Sequence, residues 1–231
     1  MSLAEDLQVE VKAMFRDQWT TRDGTIVPDS EDLKLSNDAV ILDATVLYAD
    51  LSASTALVDS FKQQFAAEVY KAYLHCAAKI IRSEDGAITA YDGDRVMAVF
   101  IGTSKNTSAA RAAFKINWAV KHIVNPALKA QYPNTSYEMQ QTVGIDTSKL
   151  FVARTGIRGS NDLVWVGRAA NYAAKLTALP PSHPTRITEE AYTMLHDSMK
   201  TSNGQSMWES VNWTDMNNLR IYRSTWWWRI D

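Results

Sequence analysis

One cysteine, Cys76, occurs in 231 residues. That excludes a disulfide framework and a cysteine-built zinc site. Cys76 falls in an apolar stripe at helical spacing and reads as a small core residue rather than a nucleophile. A reducing, cytoplasmic setting is therefore expected. No stretch approaches the ~18 apolar residues that span a bilayer. The acidic start Met1-Ser2-Leu3-Ala4-Glu5-Asp6 carries no signal-peptide pattern, so no membrane partner is expected. An excess of one charge is also missing. The formal net charge of −2 gives no basic field, and no nucleic-acid partner is expected. The 4 histidines (His75, His122, His183 and His196) fall into no metal-binding spacing. There is no Walker loop, no Gly-rich dinucleotide loop and no Gly-x-Ser-x-Gly elbow. These absences argue against P-loop ATPases, Rossmann dehydrogenases and the common serine hydrolases.

An apolar content of 46% suffices for a real core. Residues 3–16 read as a helix with Leu3, Leu7, Val11 and Phe15 at i, i+4 spacing, followed by a polar, turn-rich arm. A buried strand is expected from Asp43 to Asp50, then helical periodicity over most of Ala53 to Ser83, with Ser52, Ser54 and Thr55 available to cap it. Ala87–Tyr91 and Arg95–Phe100 read as a hairpin turning at Tyr91-Asp92-Gly93-Asp94. A long helix is expected from Ser104 to Gln131, with Thr107 or Ser108 capping part of it. Tyr137–Ile145 reads as a strand, Asp146-Thr147-Ser148 as a turn and Leu150–Arg154 as the returning strand. Gly156, Gly159 and Asn161 mark a flexible loop before a short strand at Leu163–Val166. A helix runs from Gly167 to about Leu179, stopped by Pro180-Pro181. Thr188 caps a further helix, and strand-like segments follow at Trp208–Trp213 and Leu219–Trp228. The order β–αα–β–β–α–β–β–α–β is an α+β plan, with a mainly antiparallel sheet covered by helices on one face.

Three constellations carry chemistry. Asp50 closes the first strand and Asp94 sits at a hairpin tip. If those strands are neighbours, both carboxylates reach one site, as Mg²⁺ or Mn²⁺ requires when substrate phosphates complete the shell. Spacing alone also fits two solvated turn aspartates. Arg168, Asn171 and Lys175 share a helical face beside Ala169, Ala170, Ala173 and Ala174, which keep the helix slim. Lys175 could stabilise phosphate charge and Asn171 could fix a ribose, but the same pattern describes a solvated helix face. Arg154 and Arg158, at the Gly loop, could bind terminal phosphates.

Taken together, these segments resemble a class III nucleotidyl cyclase domain over about Asp43 to Tyr222. The carrying motifs are Asp50 to Thr55, Gly93-Asp94, Val143-Gly144-Ile145-Asp146-Thr147, and Val166 to Leu176 with Asn171 and Lys175. The resemblance implies a ferredoxin-like palm, a sheet flanked by helices, and a head-to-tail homodimer. It divides the chain into an N-terminal helix and arm (1–40) and a catalytic domain (41–231). It implies two divalent cations, Mn²⁺ or Mg²⁺, held by Asp50, Asp94 and the carbonyl of Leu51. Asn171 would orient the ribose, and Lys175 stands where the family has its transition-state Arg. The metal pair and the Asn–Lys helix would come from opposite subunits.

The departures concern the base. Adenylate cyclases have Lys at the position of Ala90 and Asp or Thr at the position of Val164. Losing polar readers while the metal and ribose residues persist implies a changed base. Tyr48 would lie against that base, and Arg168 would line the substrate site. No counterpart of the family's phosphate-binding Lys is present, and Arg158 or Arg220 could substitute. Trp19 to Gly24, with Val27-Pro28 and Glu31 to Val40, resembles the bacterial pyrimidine cyclases of Pycsar antiphage systems. That resemblance implies UTP, or less readily CTP, as substrate. The cyclic nucleotide would then act on a separate effector protein. Two alternatives remain: an adenylate cyclase with relocated base contacts, and an inactive cyclase-like binding domain. Trp226-Trp227-Trp228 is expected to pack on the core, on the arm or at an interface.

Overall fold

The computed structural model describes residues 2–230. Helix α1 (Leu3–Arg16) opens with a capping box, in which Ser2 Oγ accepts from the Glu5 amide and Glu5 Oε2 accepts from the Ser2 amide at 2.7 Å. None of its residues is buried, so the predicted apolar stripe faces solvent. Strand β1 (Thr20–Asp23) pairs in parallel with the start of β2 (Asp38–Leu51). Asp38 fastens this junction: it accepts from Arg22 Nη1 at 2.7 Å and from the Lys34 amide at 3.0 Å. β2 thus begins ahead of the expected Asp43, because the arm supplies it with a partner strand.

The helical run after β2 divides into α2 (Ser54–Ser60) and α3 (Gln63–Ser83). Phe61 is extended between them, and its ring stacks on Phe65 at 4.8 Å and meets Tyr137 at 5.5 Å. The expected cap is absent. Ala53 holds the N-cap of α2 in the left-handed region (φ 57°), with no side-chain cap bond. The hairpin β3 (Ala87–Asp92) and β4 (Arg95–Phe100) forms as expected.

The long helix is not uniform. α4 (Lys105–Ala119) passes through a π-helical turn, Val120–Val124, into α5 (Asn125–Gln131). Pro126 has no N–H to complete a regular turn, and the wider turn accommodates it. Neither Thr107 nor Ser108 caps α4; the N-cap is Ser104, and Thr107 Oγ1 instead accepts from the His196 amide at 2.9 Å.

β5 (Gln141–Ile157) is one strand of 17 residues, where two strands and a turn at Asp146–Ser148 were expected. Asp146 is fully buried in mid-strand and is satisfied by Arg168 and Thr188 rather than by water. The expected loop is the tip of a hairpin between β5 and β6 (Ser160–Val166), with Gly156 and Gly159 at φ 103° and 82°. Then follow α6 (Arg168–Thr177), β7 (Thr185–Thr188) and α7 (Glu189–Thr193), the last capped by Thr188 as predicted. β8 (Thr201–Ser202) and β9 (Gln205–Ser206) make a small ladder before β10 (Glu209–Trp213) and β11 (Leu219–Ser224). The last strand stops at Ser224. Trp226–Trp228 pack on α4 and the turn after it rather than on the arm: the Trp228 amide donates to Phe114 O at 3.1 Å, and Trp227 lies 5.0 Å from His122.

The main sheet runs β10-β11-β7-β5-β2-β4-β3, with β1 beside β2 and β6 beside β5. Among the described residues only β1–β2 and β5–β7 pair in parallel, so the architecture is α+β with a mainly antiparallel sheet. Helices cover both faces, not one. Leu47, Ala49 and Leu51 of β2 pack with α3 and α4, while Leu42, Ala44 and Val46 pack with Ala169, Ala170 and Ala173 of α6. Gly144 permits that second layer. A Cβ there would collide with the Ala173 carbonyl and come within 2.8 Å of Leu176 Cβ. Among the described residues, no helix is long and apolar enough to cross a membrane.

Candidate active site

The C-terminal end of β2 opens onto a cleft of about 570 Å³ between the β3–β4 turn, the start of α2 and the segment after α6. Asp50 faces Arg95 across β4 and Thr142 across β5. Asp94 lies in the β3–β4 turn, and its carbonyl accepts from the Leu51 amide at 3.4 Å. Asp50, Leu51 and Asp94 therefore meet at one cleft. Burial, reinforced by the charge of Asp94, pushes the Asp50 carboxyl up to about 6. Two partners offset this. Arg95 lies alongside, and Thr177 shares its hydroxyl between the Ala174 carbonyl (2.7 Å) and Asp50 Oδ2 (3.3 Å). Thr142 Oγ1 in turn donates to Thr177 O at 2.7 Å, fixing the end of α6 to the sheet.

Tyr48, two residues before Asp50 on the same sheet face, is half-buried beneath the Arg95 guanidinium, 5.4 Å from its ring centroid. Burial raises its pKa. Ala90 is half-buried opposite Met97, and Ala90 and Tyr48 both pack against the core cluster that includes α6. Arg95 also donates to Asp92 at 2.8 Å.

The other predicted residues stand elsewhere in the chain. Asn171 and Lys175 are exposed on α6 and do not line the cleft. Lys175 Nζ lies 3.7 Å from Met216 Sδ. Arg158 is exposed at the β5–β6 tip, and Val164 is exposed on the outer side of β6. Arg154 is occupied by Asn161 and the Leu33 carbonyl, and Arg220 pairs with Glu189 at 3.7 Å. Arg168 departs from the expected polar face. Its guanidinium is held by buried Asp146, by Glu190 and by the Thr147 carbonyl. These contacts fasten α6 to β5 and α7.

Two neighbours of the cleft were not singled out from the sequence. Arg95 was readable, since it follows Asp94 and the hairpin register sets it opposite Asp50. Thr177 carries no local signal, because long-range packing alone brings it here.

No protein-family profile matches the chain. It is 57% identical to a uridylate cyclase of Xanthomonas perforans and 55% identical to one of Burkholderia cepacia, each over 232 residues and the full length of both chains. Its fold matches the crystal structure of the guanylyl cyclase Cya2 with a TM-score of 0.68 at 16% identity, covering 82% of this chain and 94% of that one.

Proposed function

This chain belongs to the uridylate cyclase family, and on that premise we propose that it converts UTP to 3′,5′-cyclic UMP and pyrophosphate in a composite site of a head-to-tail homodimer. It is a nucleotidyl cyclase with the class III fold. The observation that carries the composite site is a separation. Asp50 and Asp94 line the cleft of a chain whose Asn171 and Lys175 point outward from α6. A second copy, turned head to tail, brings the missing half.

The cleft suits a hard divalent cation. Two carboxylates and the Leu51 carbonyl supply oxygen donors, and such a cation relieves both the burial of the Asp50 charge and its repulsion with Asp94, which together raise the Asp50 pKa. Among the described residues no cluster of three or more His, Cys, Asp or Glu could hold a metal unaided, so phosphate oxygens would complete the shell. When bound, two Mn²⁺ or Mg²⁺ ions would acidify the ribose 3′-hydroxyl and neutralise phosphate charge.

The chain's own residues do the rest. Asn171 orients the ribose so that the 3′-oxygen lies in line with the α-phosphorus. The new P–O bond forms as the bond to pyrophosphate breaks, and the hydroxyl proton passes to solvent. Lys175 and Arg158 offset the charge gathering on the phosphoryl group. Lys175 is a point charge rather than a planar fork, so it screens without bidentate contact. Tyr48 stacks on the base, while Ala90 and Val164 present apolar surface that leaves purine-reading polar groups absent. Cyclic UMP made in the cytosol then acts on a separate effector in antiphage defence. CTP is the alternative substrate, with UTP favoured over it.

Incubating the protein with each of the four labelled ribonucleoside triphosphates and Mn²⁺ tests it. Cyclic UMP as the main product is expected, with Asp50→Asn abolishing it. Cyclisation of ATP alone would overturn the pyrimidine reading. No pyrophosphate from any nucleotide would overturn the enzyme reading.

A further inference from the structure

Tyr73 lies on the buried face of α3 and is 0% exposed. Its hydroxyl is buried and finds no hydrogen-bond partner among the described residues. Phenylalanine would fill the same space without leaving a donor unpaired, and an unpaired buried hydroxyl is destabilising and uncommon.

Its place in the fold brings that hydroxyl toward the cleft. Ile81 and Gly86, at and just after the end of α3, meet Phe100 at the far end of β4. Tyr73 stands about two turns earlier on α3, nearer the Arg95 end of β4. A helical side chain leans toward the helix N-terminus, which here means toward the cleft. Tyr73 shares a core cluster with Ala49 and Leu51, which flank Asp50 on β2, and with Val96, which follows Arg95 on β4. The charges of Asp50 and Asp94 both act on its hydroxyl. Thr177 reaches Asp50 from α6 on one face of the sheet; Tyr73 packs with α3 against the other face.

We propose that Tyr73 is a positioning residue for the divalent-cation site, its hydroxyl donating to the Asp50–Asp94 carboxylate pair once a cation draws the two together. The donor is unpaired without the cation and paired with it, so part of the cation's affinity comes from satisfying a buried group. This rests on the reading of Asp50 and Asp94 as metal ligands.

The test compares the full-length wild type, Tyr73→Phe and Tyr137→Phe. Tyr137 is a fitting control: its hydroxyl is also buried and without a partner among the described residues, but burial and Tyr70, not the aspartate pair, shift it. Free Mn²⁺ is followed by electron paramagnetic resonance, and thermal unfolding is measured with and without Mn²⁺. Tyr73→Phe should unfold at the wild-type temperature or higher without metal. It should bind Mn²⁺ about tenfold more weakly and gain less thermal stability from it. Tyr137→Phe should bind Mn²⁺ as the wild type does. Unchanged Mn²⁺ binding in Tyr73→Phe overturns the proposal, as does an equal weakening in Tyr137→Phe. A wild type with no Mn²⁺ binding sensitive to Asp50→Asn overturns the metal reading, and this proposal with it.

Discussion

Thr177 Oγ1 stands 3.3 Å from Asp50 Oδ2, which joins the last residue of α6 to the carboxylate at the end of β2. The outer face of the same helix carries Asn171 and Lys175. One helix would thus steady the metal end of its own cleft while presenting ribose and phosphate contacts to the cleft of its partner.

Thr177→Val should lower kcat/KM for UTP by up to about tenfold, the worth of one modest hydrogen bond to a charged group. Thr177→Ser should stay near wild type. Steady-state kinetics across a Mn²⁺ series checks this, and the Val variant should need more Mn²⁺ for half-maximal rate.

Asp50→Asn should reduce turnover by about a thousandfold or more, several kcal/mol of lost charge stabilisation. Circular dichroism should show an intact fold, and metal-free stability should not fall. Asp50 is half-buried, and its carboxyl is raised to about 6 by burial and Asp94. Replacing it with a neutral amide removes that repulsion.

Arg168→Met should act on stability rather than on substrate affinity. It leaves Asp146 fully buried without its guanidinium partner, at a cost of about 3 kcal/mol. Denaturant unfolding should register the loss, while KM for UTP in the folded fraction should change little. A large KM effect at unchanged stability would return Arg168 to the substrate site.

The arm should loosen in acid. The Lys34 amide and the Arg22 guanidinium hold the Asp38 carboxyl below its ordinary value, outweighing its burial. A depressed folded pKa means the stabilisation is complete above the unfolded value of about 4. It is lost as pH falls through that value and below. Hydrogen exchange at residues 20–23 should speed up in that window, after correction for intrinsic rates. Asp38→Asn should loosen the arm at every pH and remove the dependence.

These residues also show what could be read before folding. Asp50 and Asp94 were legible because an apolar strand releasing a carboxylate and an Asp-Gly hairpin tip are local patterns. The helix cap at Ser52–Thr55 was misread because Ala53 takes the left-handed conformation at the rim of the cleft. Asp146-Thr147-Ser148 reads as a turn by composition. A central strand tolerates it only because Arg168, Thr188 and the Ala44 carbonyl, all distant in sequence, satisfy it. The same burial bears on Arg168: its helical offset matched Asn171 and Lys175, but its pairing with Asp146 and Glu190 was not visible. Tyr73 was not singled out, and nothing local marks its hydroxyl.

The most direct measurement mixes two inactive proteins. Asp50→Asn and Asn171→Ala are each assayed alone, then combined, allowed to exchange subunits and given UTP. In a two-fold dimer with composite sites, half of the dimers are mixed and each holds one intact site, so cyclic UMP synthesis should return to about a quarter of the wild-type rate. A mixture as inactive as its two components would contradict a site shared between copies of this chain.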